Sequence, residues 1–173
     1  MIETAINDAQ LVIARHTQDA PVSVEAIARD LGLSVYQDPR MPQEIAGKIV
    51  REDRGSPAGF SIYINANDPP RRRRFTLAHE IAHFVLHRDL IGDGLIDDGL
   101  YRSKLGGAYE RQANRMAANM LMPPALLRGF FRGGTTKIAP LAREFDVSAD
   151  AMRIRLEDLG LAPSLDHQRP LPL

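Results

Sequence analysis

The chain has 173 residues, 44% of them apolar and 25% charged, with 22 basic and 22 acidic side chains and no cysteine. This balance gives no global field to hold nucleic acid or an anionic membrane, and the missing thiols exclude disulfides, thiolate metal sites and cysteine nucleophiles. An ordinary water-soluble domain remains, and any metal it binds must sit on oxygen or on the nitrogens of His16, His79, His83, His87 and His167.

From the amino terminus, residues 3–16 carry Ile6, Ala9, Leu11, Val12 and Ile13 near a 3.6 period, which predicts an opening helix. No basic start runs into an apolar signal core, and no stretch of about 18 apolar residues follows, so the expected location is cytoplasmic, without a membrane partner. Ser23 offers a cap for a short helix through Leu31, and Gly32 the left-handed stop after it. Over 46–52 and 59–65 the period becomes two: Phe60, Ile62 and Ile64 alternate with Ser61, Tyr63 and Asn65. Two strands paired as a hairpin across 53–57 are predicted. Asp68-Pro69-Pro70 ends that pattern, and Phe75, Leu77, Ala78, Ile81, Ala82, Val85 and Leu86 then trace an apolar stripe at helical spacing.

Residues 89–107 hold five glycines and four aspartates with little periodicity, and read as a long mobile loop of the kind that often carries function. A second strong helix is predicted over 108–121, ended by Pro123-Pro124. Two shorter helices, 138–145 and 148–159, are joined by a turn at Asp146-Val147, and Pro163, Pro170 and Pro172 mark a loose tail. The predicted fold is α+β, with a small, mostly antiparallel sheet packed on the helix that holds His79 and further helices around it.

His79 and His83 are four residues apart, so on a helix they share one face, and both imidazoles reach a single ion about 2.0–2.1 Å away. Glu80 lands beside the pair, where it can take a proton from water without becoming a ligand, the arrangement that amide hydrolysis needs. The bland alternative is two satisfied histidines; the apolar stripe around the motif favours metal binding. A third protein ligand is required, with a fourth position left open. Asp89, Asp93, Asp97, Asp98, Glu110 and His87 are the candidates. Glu110 is preferred because a rigid helix holds a ligand better than a glycine-rich loop, although a solvated carboxylate near a helix start is the competing account.

The run Arg74-Phe75-Thr76-Leu77-Ala78-His79-Glu80-Ile81-Ala82-His83-Phe84-Val85-Leu86-His87, followed by Glu110-Arg111-Gln112-Ala113-Asn114-Arg115-Met116-Ala117-Ala118-Asn119-Met120-Leu121-Met122-Pro123, resembles the ImmA/IrrE family of metallopeptidases. Residues 22–33 and 141–161 resemble that family's flanking helices. The resemblance implies a thermolysin-like (zincin) core over 1–135 with zinc on His79, His83 and Glu110 and Glu80 as base. It also implies a helix-turn-helix-like pair over 136–160 packed on that core, with 161–173 as tail. Members commonly stand beside an XRE-type helix-turn-helix repressor, and several cleave it to release stress-response or mobile-element genes; a repressor substrate encoded nearby is thus implied. Met116 departs from the family, which often has an aromatic residue there, and no fused repressor-type or sensory domain is read. Manganese or iron suits the same donors as zinc. The rival reading is a non-proteolytic, metal-containing binding or toxin-like module that docks on the repressor.

Further donors are less determined. Tyr63, Tyr101, Tyr109 and His87 are candidates to stabilise a developing oxyanion. His87, one turn beyond His83, either stands behind the metal pair or faces substrate, or else bonds the last helix carbonyls. Tyr63 and Asn65 lie on a strand that either pairs with an extended substrate or is an ordinary polar face. The run Arg71-Arg72-Arg73-Arg74 sits at a helix start, where cations are disfavoured, so acidic groups, most simply within the chain, are expected to answer it. The helix pair sets Arg153 and Arg155 against Asp150, Glu157 and Asp158, which is no basic face, so packing rather than direct nucleic-acid binding is expected.

Overall fold

In the computed structural model, which describes residues 2–52, 55–91 and 98–161, helix α1 (Ile2–His16) leads into α2 (Val24–Asp30). Ser23 Oγ accepts from Ala26 N at 3.3 Å, and Gly32 follows the helix at φ 74°, so cap and stop fall where the sequence predicts them. Strands β1 (Ser34–Asp38), β2 (Gly47–Arg51) and β3 (Phe60–Asn65) form a sheet in the order β1-β3-β2. The expected hairpin is present, with β2 antiparallel to β3 and Ile49 opposite Ile62. On the other side β1 pairs with β3 in parallel, Val35 opposite Ile62. The sheet is therefore mixed rather than mostly antiparallel. β1 was not legible because Val35 and Tyr36 are its only strong strand formers, and its pairing comes from a distant partner. Asn65, one of the residues considered for substrate pairing, instead donates from Nδ2 to the carbonyls of Pro42 and Ile45, both at 2.9 Å, and clamps the segment before β2.

Helix α3 (Pro70–His87) opens on prolines, which suit a first turn that lacks N–H partners in any case. Every residue from Thr76 to Val85 is buried, so the predicted stripe is the visible part of a helix enclosed almost all round. Each arginine at its start has a partner within the chain. Arg71 and Arg74 reach the two carboxylate oxygens of Asp146 at 3.0 and 3.4 Å, Arg72 pairs with Asp68 at 3.3 Å, and Arg73 donates to Gln37 Oε1 at 2.6 Å. Arg74 also donates to the Val22 carbonyl at 3.0 Å.

A 3-10 turn (Arg88–Leu90) ends α3, and helix α4 (Asp98–Leu121) begins well before residue 108. The long loop expected over 89–107 is thus corrected to a shorter connection. Gly99, Gly106 and Gly107, each costing about 1 kcal/mol in a helix interior, hid the first turns of α4, which the fold nonetheless keeps helical. Pro123-Pro124, read only as a stop, also starts helix α5 (Pro124–Arg132). Helices α6 (Ile138–Glu144) and α7 (Ala149–Asp158) follow, with Asp146 at φ 48° in the turn between them and Ser148 capping α7. Their Leu141, Phe145, Met152 and Leu156 join the same buried core as Ile62, Leu77, Ile81 and Leu121. Arg155 is 4% exposed; it donates from Nε to the Met122 carbonyl at 3.1 Å and from Nη2 to Asn119 Oδ1 at 2.6 Å. Burial pulls its pKa below the usual arginine value. The predicted tail from 162 onward lies outside the described residues. Among the described residues no helix is long and apolar enough to cross a membrane.

Candidate metal centre

Helix geometry sets His79, His83 and His87 one turn apart along α3, and the packing of α3 against α4 brings Glu110 to them. The two imidazole Nε2 atoms are 3.0 Å apart; Glu110 Oε2 lies 3.3 Å from that of His79, and Glu110 Oε1 lies 3.3 Å from that of His83. Ligands held about 2.0–2.1 Å from one ion at tetrahedral angles stand roughly 3.3 Å from each other, so the spacing suits a small divalent cation. Glu110 Oε1 is buried with no hydrogen bond, although the Glu110 side chain as a whole is 24% exposed. A buried acceptor without a donor costs about 1–3 kcal/mol, and a cation between the three side chains would satisfy it. The donors are two nitrogens and one carboxylate, a set that fits zinc and also manganese or iron.

The shell around these atoms is built from both helices. His79 Nδ1 faces Asn114 Oδ1 at 2.9 Å, His83 Nδ1 faces His87 Nδ1 at 3.1 Å, and His87 Nε2 faces Gln112 Oε1 at 3.0 Å. The Tyr109 ring meets His87 edge-on, with centroids 5.0 Å apart. His87 thus has the His83 ring on one nitrogen and the Gln112 amide on the other. Glu80 is 4% exposed, and strand β2 passes so close to it that a Cβ on Gly47 would lie 3.8 Å from Glu80 Cγ.

Tyr63 donates its hydroxyl to Glu52 Oε1 at 2.8 Å and stacks on Tyr36; burial and that carboxylate push its pKa up to about 12. Asp89 lines a separate depression with Arg51, Phe60 and Arg88. Asp93 and Asp97 lie outside the described residues, as do the side chains of Asp98 and Tyr101. Gln112, Asn114 and Gly47 were not singled out from sequence. Two amides within four residues of Glu110 were the signal available for the first two; nothing local distinguished Gly47.

A family model described as the IrrE N-terminal-like domain matches residues 28–157. The chain belongs to that family. Within it, the chain is 36% identical over 118 residues to the radiation response metalloprotease IrrE of Deinococcus deserti, a match covering 65% of this chain and 41% of that protein. It is 38% identical over 107 residues to the namesake from Deinococcus radiodurans, covering 59% of this chain and 32% of that protein. The IrrE-like match thus spans well under half the length of either relative. Its fold resembles that of a Mycobacterium tuberculosis transcriptional regulator, with a TM-score of 0.57 at 19% identity, over 96% of this chain and 48% of that one.

Proposed function

We propose that this chain is a zinc-dependent endopeptidase that hydrolyses a peptide bond in a protein partner. The observation that carries the reading is the convergence of His79, His83 and Glu110 at mutual spacings of 3.0 and 3.3 Å, beside a buried Glu80. Those three side chains would hold the ion, and a zinc ion bound there would supply polarisation of the scissile carbonyl and acidification of the attacking water. Glu80 takes a proton from that water as its oxygen adds to the carbonyl carbon, then passes the proton to the departing amine nitrogen, so one carboxylate serves both half-reactions. The name radiation response metalloprotease borne by two relatives supports this chemistry, and we read the sheet and α3 as a thermolysin-like (zincin) core.

Substrate pairing fits β2 rather than β3. β3 lies between β1 and β2, so its backbone is already paired on both sides, and the edge beside Glu80 is that of β2. An extended peptide hydrogen-bonded along β2 brings its backbone towards Glu80. The partner we propose is an XRE-type helix-turn-helix repressor encoded nearby, with the pair over 136–160 packed on a 1–135 catalytic unit and available for docking. The resemblance of 74–87 and 110–123 to repressor-cleaving metallopeptidases supports that partner.

Incubating the zinc-loaded protein with the repressor, next to a Glu80→Gln form, tests the proposal. Cleavage by the parent protein with binding alone by Glu80→Gln is the expected result. Repressor bound but left intact by both forms overturns the peptidase reading in favour of a docking module.

A further inference from the structure

Two imidazoles can share one cation only if each turns a lone pair, not an N–H, towards it. A neutral imidazole has one of each, so whatever occupies Nδ1 decides what Nε2 presents. For His79 the decision takes one step: Asn114 Oδ1, an acceptor, sits 2.9 Å from Nδ1, which therefore donates and leaves the lone pair on Nε2.

For His83 the partner at Nδ1 is another imidazole, 3.1 Å away, and an imidazole alone can play either role. The ambiguity is removed one link further out. Gln112 Oε1 can only accept, so His87 Nε2, 3.0 Å from it, donates. With its one N–H engaged on Nε2, the His87 imidazole has its lone pair on Nδ1, the His83 Nδ1 opposite must donate, and His83 Nε2 is left as the lone pair aimed at Glu110 and His79. Burial enforces the chain, because His83 and His87 are only 6% and 5% exposed and water offers them little alternative pairing. The edge-on Tyr109 ring holds the His87 plane without competing for either nitrogen.

We propose that Gln112, acting through His87, is a positioning residue that sets the tautomer of His83 and thereby zinc affinity. The inference rests on the metal centre proposed above. Gln112 itself is exposed, so its replacement tests the relay without opening the core. The variants are Gln112→Met, of similar length but without an acceptor, and Gln112→Glu, which keeps one. Zinc affinity is read by competition with a chromophoric chelator, and the tautomer by imidazole nitrogen NMR shifts of the metal-free protein.

Gln112→Met is expected to lose about 10- to 100-fold in zinc affinity, the usual cost of removing an outer partner of a metal ligand, and to shift His83 towards the Nε2–H form. Gln112→Glu is expected to keep affinity within about threefold of the parent, with thermal unfolding of both metal-free variants unchanged. Undiminished affinity in Gln112→Met, or an equal loss in both variants, overturns the relay while the parent protein still binds zinc through Glu110. A parent protein that binds no zinc overturns the metal centre and the relay together.

Discussion

A methyl group added at Gly47 enters a tight gap between β2 and α3. The position is not held in the left-handed region, so Gly47→Ala meets no backbone strain, and the loss of unfolded-chain freedom favours the variant by about 0.4–1 kcal/mol. Packing opposes it. The new Cβ overlaps Thr76 Cγ2 and lies 3.0 Å from the Tyr63 carbonyl oxygen, a backbone atom in the strand-strand ladder that cannot give way. Thr76 is buried on α3, and a branched side chain there has few rotamers to retreat into. Overpacking of this kind costs about 1–3 kcal/mol, so packing prevails and a net destabilisation of about 1–2 kcal/mol is expected.

Thr76→Ser removes the obstructing methyl and by itself costs about 1 kcal/mol of burial. In the double variant the share of the Gly47→Ala penalty owed to the Thr76 methyl disappears while the Tyr63 contact stays, giving a coupling of about 1 kcal/mol. Urea unfolding of the four metal-free proteins measures each quantity. A Gly47→Ala protein as stable as the parent, or additive effects in the double variant, refutes the claim that β2 rests on α3 at this point.

Glu110→Ala is expected to abolish zinc stabilisation: at a free concentration of 100 times Kd the parent gains about 2.7 kcal/mol, and the variant gains close to none, as calorimetric melts with and without zinc will show. Asn65→Ala removes the donors that hold the Pro42 and Ile45 carbonyls, at a cost of about 1–3 kcal/mol, and amide exchange in 41–46 accelerates. Asp146→Asn keeps a residue that tolerates φ 48° and weakens ion pairs to Arg71 and Arg74 whose carboxylate partner is itself well exposed, so it costs about 1 kcal/mol or less. Asp146→Val adds a branched side chain in the left-handed region and costs about 1–3 kcal/mol more, a difference that denaturant midpoints resolve.

Local repetition is legible without tertiary structure. Helical spacing alone puts His79 and His83 on one face with Glu80 beside them, and alternation over Phe60–Asn65 already marks a strand, because both periods are properties of the backbone. Local propensity misleads where a distant partner compensates for it. The glycines at 99, 106 and 107 disguised the start of α4, Pro124 looked like an end when it was also a beginning, and β1 needed β3 to become a strand.

What the sequence by itself determined is the pair of imidazoles, the carboxylate next to them, and the family resemblance of 74–87 with 110–123. The approach of Glu110 to 3.3 Å, the place of His87 behind His83, the Gln112 and Asn114 contacts and the close passage of Gly47 were decided only by how α3 packs against α4 and β2. Distances between elements depend on the volumes and rotamers of all the side chains between them, and no local period of the chain encodes that sum.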